Sequence, residues 1–190
     1  MPFERESGMV RAMRGYFALG TESLSKAHNA GALIRTAHAF GASFFFAIDP
    51  ALDFNLARQT DTADSCGHLP LYQYPDPASL QLPRGCALVG VEMTDDAISL
   101  PSFRHPFMAA YVLGRERGNL SDALLARCDH VVQIPTAFCV NVSVAGAIVL
   151  YDRMISLGRF AERPVRSGGP IQDLPEHVQG GQIFRSKKPA

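Results

Sequence analysis

Five short apolar runs, rich in β-branched and aromatic residues, recur along the chain with helical patterns between them: YFALG (16–20), SFFFAID (43–49), CALVGVE (86–92), FMAAYVLG (107–114) and HVVQIP (130–135). A strand that is apolar almost throughout must be covered on both faces, which is the condition of a strand inside a parallel sheet flanked by helices. The expected class is therefore α/β. Between the first two runs, AHNAGALIRTAHAFGA (27–42) places Leu33, Ile34, Ala37, Phe40 and Gly41 on one face of a covering helix. Asn29 is a candidate cap for that helix, because its side-chain oxygen can accept an otherwise unpaired amide of the first turn.

The 190 residues suit one domain with a sizeable core, expected over 16–160 after an N-terminal segment at 1–15. Residues 52–84 are polar, irregular and proline-containing, with an edge strand expected around Leu69 to Tyr74. Asn141 to Leu157 reads as a long helix, apolar through much of its circumference before Asp152 and Arg153, and so buried in the core or in a subunit interface. From 161 to 190, paired glycines and repeated prolines predict an extended or partly disordered tail.

No apolar run reaches the roughly 18 residues that cross a bilayer, and the mixed-charge N-terminus lacks a secretory apolar block, so a cytoplasmic protein is expected. Cys66, Cys86, Cys128 and Cys139 are scattered without a C-x-x-C pair, which argues against a zinc site or disulfide framework. The 18 basic and 18 acidic residues cancel, so any nucleic-acid footprint must be local. Arg5, Arg11 and Arg14 near one end, and Arg185, Lys187 and Lys188 near the other, are basic clusters that could supply one or remain solvated.

YVLGRERGNL (111–120) runs a strand into a glycine turn. A dinucleotide fold needs G-x-G-x-x-G after the first strand, whereas this turn follows a late one, puts Glu116 where a carboxylate would repel phosphate, and lacks the Lys-Ser/Thr ending of a P-loop. Taken alone it is a strand-to-helix turn, with Gly114 and Gly118 supplying backbone freedom and Ser121 or Asp122 starting the next helix.

Three segments in order change that reading: NAGALIRTAHAFGA (29–42), YVLGRERGNL (111–120) and IPTAFCVNVSVAGAIVLYD (134–152). Together they resemble the three signature motifs of SPOUT-class RNA methyltransferases of the SpoU/TrmH type, across roughly residues 16–157. The resemblance implies a C-terminal trefoil knot, an exception to the rule that chains avoid knots. It also implies an S-adenosylmethionine site at the knot, a homodimer packed through the last helix, and transfer of a methyl group to a ribose 2′-hydroxyl of RNA, with tRNA expected as the substrate and rRNA as an alternative. By the same resemblance, Val91, Glu92, Met93, Leu113, Gly114, Gly118, Ile134, Cys139 and Val142 would surround the cofactor, with Gly114 admitting the backbone close to it. The family often carries serine where Cys139 stands, which leaves a main-chain contact intact and removes a hydroxyl.

The resemblance makes Arg35 essential for activating the hydroxyl. Proton abstraction by arginine would need a neutral guanidine, against a pKa above ~12, so the expected role is to orient the nucleotide and stabilise the developing alkoxide. Asn29 is either the helix cap or a group that places the target nucleotide. Glu116 is either a turn residue held by amides or a carboxylate that organises Arg35. Asn141 and Ser143 either cap the last helix or face the RNA ribose. His28 beside Asn29 reads as a surface histidine. The competing class is a catalytically silent RNA-binding or assembly factor that keeps the same dimer, while a dinucleotide-dependent oxidoreductase is disfavoured by the position of the glycines.

Overall fold

The computed structural model describes residues 16–52, 68–116, 118–158, 160 and 167–169. The basic clusters at 1–15 and 185–188 lie outside the described residues, as does most of the tail expected at 161–190. Packing divides the chain into two units, Met1–Arg159 and Phe160–Ala190, and the sheet lies wholly in the first.

The strands are β1 (Phe17–Glu22), β2 (Phe44–Ile48), β3 (Leu71–Tyr74), β4 (Ala87–Val91), β5 (Ile98–Ser99), β6 (Ala109–Leu113) and β7 (His130–Gln133). They form one sheet in the order β3-β2-β1-β6-β4-β7-β5, with every pairing parallel. The five apolar runs supply β1, β2, β4, β6 and β7, and the expected edge strand is β3. Only β5, two residues long, carries no sequence signal of its own.

Alternation along each strand divides the core into two layers. Leu19, Phe45, Val89, Tyr111 and Val132 face one side, with Leu33, Ile34 and Ala37 of α1 (Ala27–Ala39) and Val149 and Leu150 of α3 (Val142–Leu157). Ala18, Phe44, Phe46, Leu88 and Val112 face the other, with Leu120 and with Leu124 of the short helix α2 (Asp122–Leu125). Helices α1 and α3 approach closely where Gly146 meets Leu33, since a Cβ on Gly146 would lie 2.5 Å from Leu33 Cδ2. One face of α3 is thus core, as expected. Along its other side Val144 and Tyr151 remain about half exposed in the single chain.

Arg153 on α3 is 1% exposed. Its guanidinium donates to the carbonyls of Pro106 (2.6 Å) and Phe107 (2.8 Å) and to the Tyr111 hydroxyl (3.2 Å), and it lies over the Phe17 ring. Arginine can only donate, so the Tyr111 oxygen accepts from it and the phenolic hydrogen is left for His105 Nδ1, 2.6 Å away. His105 Nε2–H then donates to Asp152 at 2.9 Å. The result is a neutral histidine tautomer bridging a buried cation and a carboxylate.

Candidate functional site

In open parallel sheets, ligands settle beyond the carboxyl ends of the strands where the strand order reverses. Here that point falls around β1, β6 and β4, because the chain builds β2 and β3 on one side of β1 and places β4 beyond β6. A cavity of about 310 Å³ opens there, lined by Val91–Met93 after β4, Leu113–Glu116, Gly118 and Asn119 after β6, Gln133, Ile134 and Thr136 after β7, and Cys139–Val142 with Ala145 at the start of α3, together with Lys26. The volume is that of a small-molecule site. All nine residues expected around a cofactor, Val91, Glu92, Met93, Leu113, Gly114, Gly118, Ile134, Cys139 and Val142, are on its wall.

Three carboxylates, at the end of β1, just after β4 and within the loop itself, fix the loop that follows β6. Glu22, at the end of β1, accepts from Ser121 N (2.7 Å) and Ser121 Oγ (2.5 Å). Glu92 accepts from Leu120 N (2.8 Å) with one oxygen and from Met93 N (2.9 Å) with the other. Ser121 in turn caps α2 by accepting from Leu124 N. Glu116 accepts from Lys26 N (2.9 Å), Ser25 N (3.3 Å), Ser25 Oγ (3.0 Å) and Asn29 Nδ2 (3.0 Å). It takes the amide at the entry of α1 that the glutamate of a capping box would take from within the helix, and its negative charge sits at the positive end of the helix dipole.

Partial burial alone would raise the Glu116 pKa. The hydrogen bonds from its own amide, Asn29, Ser25 and Lys26 outweigh this and hold it at about 2, against an ordinary 4.5.

Asn29 is not the cap of α1. The helix begins one turn earlier, with Lys26 at the cap position and no side-chain cap, and Asn29 lies 1% exposed inside the first turn. Its amide donates to Glu116, and its Oδ1 faces Asn141 Nδ2 at 3.4 Å. Asn141 does cap its helix: its Oδ1 accepts from Ser143 N (2.8 Å) and Ser143 Oγ (2.6 Å). Glu116, Asn29, Asn141 and Ser143 therefore form one hydrogen-bonded chain, and each of the three sequence segments contributes to it.

Arg35 does not join them. It is exposed on α1 and absent from the cavity wall. Six residues beyond Asn29, it lies about 9 Å along the axis and roughly 120° around it. The expected Glu116–Arg35 partnership is replaced by the Glu116–helix contacts above. His28 is exposed, as its surface reading required.

Gly114 also carries a constraint from within the chain. A Cβ there would lie 3.2 Å from Leu120 N and 3.3 Å from the carbonyl carbon of Asn119, so the glycine closes the loop on its own backbone. Cys139 is exposed, with Sγ 3.6 Å from Met93 Sδ across the cavity wall. The sequence reading overlooked Glu22, Lys26, Arg115 and Asn119. Three of these lie within or next to the segments it singled out, while Glu22 ends a strand that hydrophobicity alone had marked.

The lining suits a particular ligand chemistry. Val91, Leu113, Ile134, Val140, Val142 and Ala145 make an apolar wall fit for a flat heterocycle. Lys26, Glu92 and Glu116 supply charges of both signs, which matches a ligand carrying both signs and opposes a pyrophosphate.

Residues 16–151 match the model of the SpoU rRNA Methylase family. The tRNA (guanosine(18)-2'-O)-methyltransferase of Escherichia coli is 26% identical over 136 residues, covering 69% of this chain and 59% of that protein. The protein of the same name from Thermus thermophilus is 27% identical over 137 residues, covering 69% of this chain and 70% of that one. The chain thus spans about three fifths of the length of the E. coli relative. Among solved structures, the SpoU methyltransferase AviRb from Streptomyces viridochromogenes in complex with the cofactor AdoMet has the same fold, with a TM-score of 0.69 at 23% identity, covering 84% of this chain and 64% of that one.

Proposed function

This chain belongs to the SpoU rRNA methylase family, and we propose that it is an S-adenosylmethionine-dependent methyltransferase acting on a ribose 2′-hydroxyl of RNA, with tRNA as the substrate. The observation that carries this reading is the cavity beyond β4, β6 and β7, two of whose walls, the loop after β6 and the start of α3, are joined through Glu116, Asn29 and Asn141.

The residues present fit the cofactor: an apolar wall for the adenine, charges of both signs at Lys26, Glu92 and Glu116 for the amino-acid end, and no phosphate cradle. Val91, Glu92, Met93, Leu113, Gly114, Gly118, Ile134, Cys139 and Val142 would hold it, and with an exposed thiol at Cys139 the contact expected there is from main chain. Bound S-adenosylmethionine supplies a methyl group on a sulfonium as the electrophile. The protein's task is then alignment and electrostatics. Glu116, Asn29 and Asn141 keep the loop after β6 and the start of α3 in register, so the wall is preorganised. Arg35 is assigned the orienting role, steadying the nucleotide and the developing alkoxide from outside the cavity.

The half-exposed strip of α3 that contains Val144 and Tyr151 is the surface we assign to a homodimer contact, since such a strip on a helix otherwise packed into the core calls for a partner. The trefoil knot belongs to the same proposal. Among the described residues no helix is long and apolar enough to cross a membrane.

The test is transfer of labelled methyl from S-adenosylmethionine to tRNA and rRNA, followed by mapping of 2′-O-methyl positions, with wild type, Arg35→Ala and Arg35→Lys. Transfer that either substitution abolishes supports the reading, because lysine cannot reproduce bidentate geometry. Because Arg35 lies outside the cavity, a second reading stands: a silent RNA-binding factor. It would be favoured by cofactor and RNA binding without turnover.

A further inference from the structure

The loop after β6 carries one more group suited to the substrate. Arg115 is exposed, and it lines both the 310 Å³ cavity and an adjoining cavity bounded by Glu22, Asp49, Asp76 and Asp122. In that second cavity Arg115 is the only cation among the described lining residues. Its guanidinium lies against Gly118, where an added Cβ would come 2.5 Å from Nε and 3.1 Å from Nη2, so the glycine leaves space that the arginine occupies. Gly118 has φ +141°, a conformation that itself favours glycine.

Two features leave this charge available. The neighbouring carboxylate, Glu116, is directed to the start of α1 through Ser25, Lys26 and Asn29. Among the described residues no ion pair engages Arg115. The loop beneath it is held at Glu116, Leu120 and Ser121, so the guanidinium is mounted on a fixed base.

We infer that Arg115 is a substrate-positioning residue that binds an RNA phosphate at the boundary of the two cavities. This rests on the methyltransferase reading above. A phosphodiester crossing the boundary meets carboxylates on the second cavity's wall and a planar, fork-shaped donor at Arg115, which fixes where the backbone can settle. Arg115 thereby sets the position of the nucleotide, not the chemistry of transfer.

The experiment uses the full chain as wild type, Arg115→Ala and Arg115→Lys, with tRNA as the probe. Three quantities are read: RNA affinity against salt concentration, KM and kcat for methyl transfer, and calorimetric affinity for S-adenosylhomocysteine. The expected result for Arg115→Ala is a salt slope shallower by about one, a KM for RNA raised roughly tenfold with kcat changed less than about twofold, and unchanged S-adenosylhomocysteine affinity. Arg115→Lys should restore the salt slope and part of the KM. An unchanged slope and KM in the alanine variant would overturn the inference, as would a parallel loss of S-adenosylhomocysteine binding, which would make Arg115 a cofactor ligand. If wild type binds RNA but transfers no methyl, the functional reading fails while the salt slope still decides the role of Arg115. If wild type binds no RNA, both fail.

Discussion

Asn29 and Glu116, separated by 87 positions in sequence, are joined by a 3.0 Å hydrogen bond from the asparagine amide to the carboxylate, and this bond ties the first turn of α1 to the loop after β6. The other end of the same amide faces Asn141 at the start of α3. A single buried side chain thus connects the first turn of α1, the loop after β6 and the start of α3.

Replacing Asn29 should therefore damage the cavity and the fold together. Asn29→Leu removes a donor from Glu116 and an acceptor from Asn141, at a cost of about 1–3 kcal/mol. Asn29→Asp should be worse at pH 7, because two carboxylates would face one another, and should recover partly near pH 4 as the introduced acid is protonated. Urea unfolding at the two pH values measures both.

The depressed pKa of Glu116 makes a pH-dependent contribution to stability. A carboxyl held at about 2 when folded and near 4.5 when unfolded stabilises the protein fully above pH 4.5, and this stabilisation disappears as pH falls towards 2. The stability difference between wild type and Glu116→Gln should be largest above pH 4.5 and shrink below it. A difference independent of pH between 2 and 6 would mean that the charge is not what secures the loop.

Gly114→Ala places a methyl group 3.2 Å from Leu120 N, against backbone that cannot rotate away as a side chain could. The loop should open by a few tenths of an ångström. The variant should stay folded by circular dichroism yet bind S-adenosylhomocysteine at least tenfold more weakly, because a cavity wall has moved.

Burial lowers the His105 pKa, against the opposing influence of Asp152, and burial likewise pushes the Tyr111 pKa up to about 12. The unfolded chain takes up a proton at His105 near pH 6.5 and the folded one only at lower pH. This group's contribution is present above pH 6.5 and lost as pH falls through the folded value. An NMR titration should place the His105 midpoint below 6.5. Tyr111→Phe, which deprives both His105 Nδ1 and Arg153 of a partner, should cost about 1–3 kcal/mol.

The exposed strip of α3 predicts an oligomeric state. Tyr151→Glu puts a charge in the middle of the proposed dimer contact and should yield a monomer by light scattering, where wild type gives a dimer. A wild-type monomer would remove the dimer proposal and leave the cavity unaffected.

Much of the architecture could be read from the chain because its strands are apolar throughout. Phe44–Ile48 and Ala109–Leu113 have no polar face, and nothing but a doubly covered sheet accommodates them. The two-residue β5 was not legible, since so short a strand is defined by pairing with β7. Part of the cavity wall, from Val91 to Val142, followed from the motif resemblance, which did not point to Lys26, Arg115 or Asn119. What pattern could not show was the purpose of individual groups. Asn29 looked like a cap because caps and buried amides share a residue type, and only the helix start at Lys26 separates the two. Glu116 pointed to Arg35 by motif, whereas the unpaired amides at the start of α1 lie closer and satisfy it. Gly114 was read for its ligand, and Asn119 and Leu120 impose a second constraint that pattern did not show.

The central claim is that the cavity beyond β4, β6 and β7 takes S-adenosylmethionine. Calorimetric titration of the full chain with S-adenosylhomocysteine, with NAD and ATP as controls, tests it most directly. Saturation near one site per chain, absent for NAD and ATP and weakened in Gly114→Ala, is the predicted result. A folded protein that binds none of the three, or that binds NAD or ATP as well as S-adenosylhomocysteine, would contradict it.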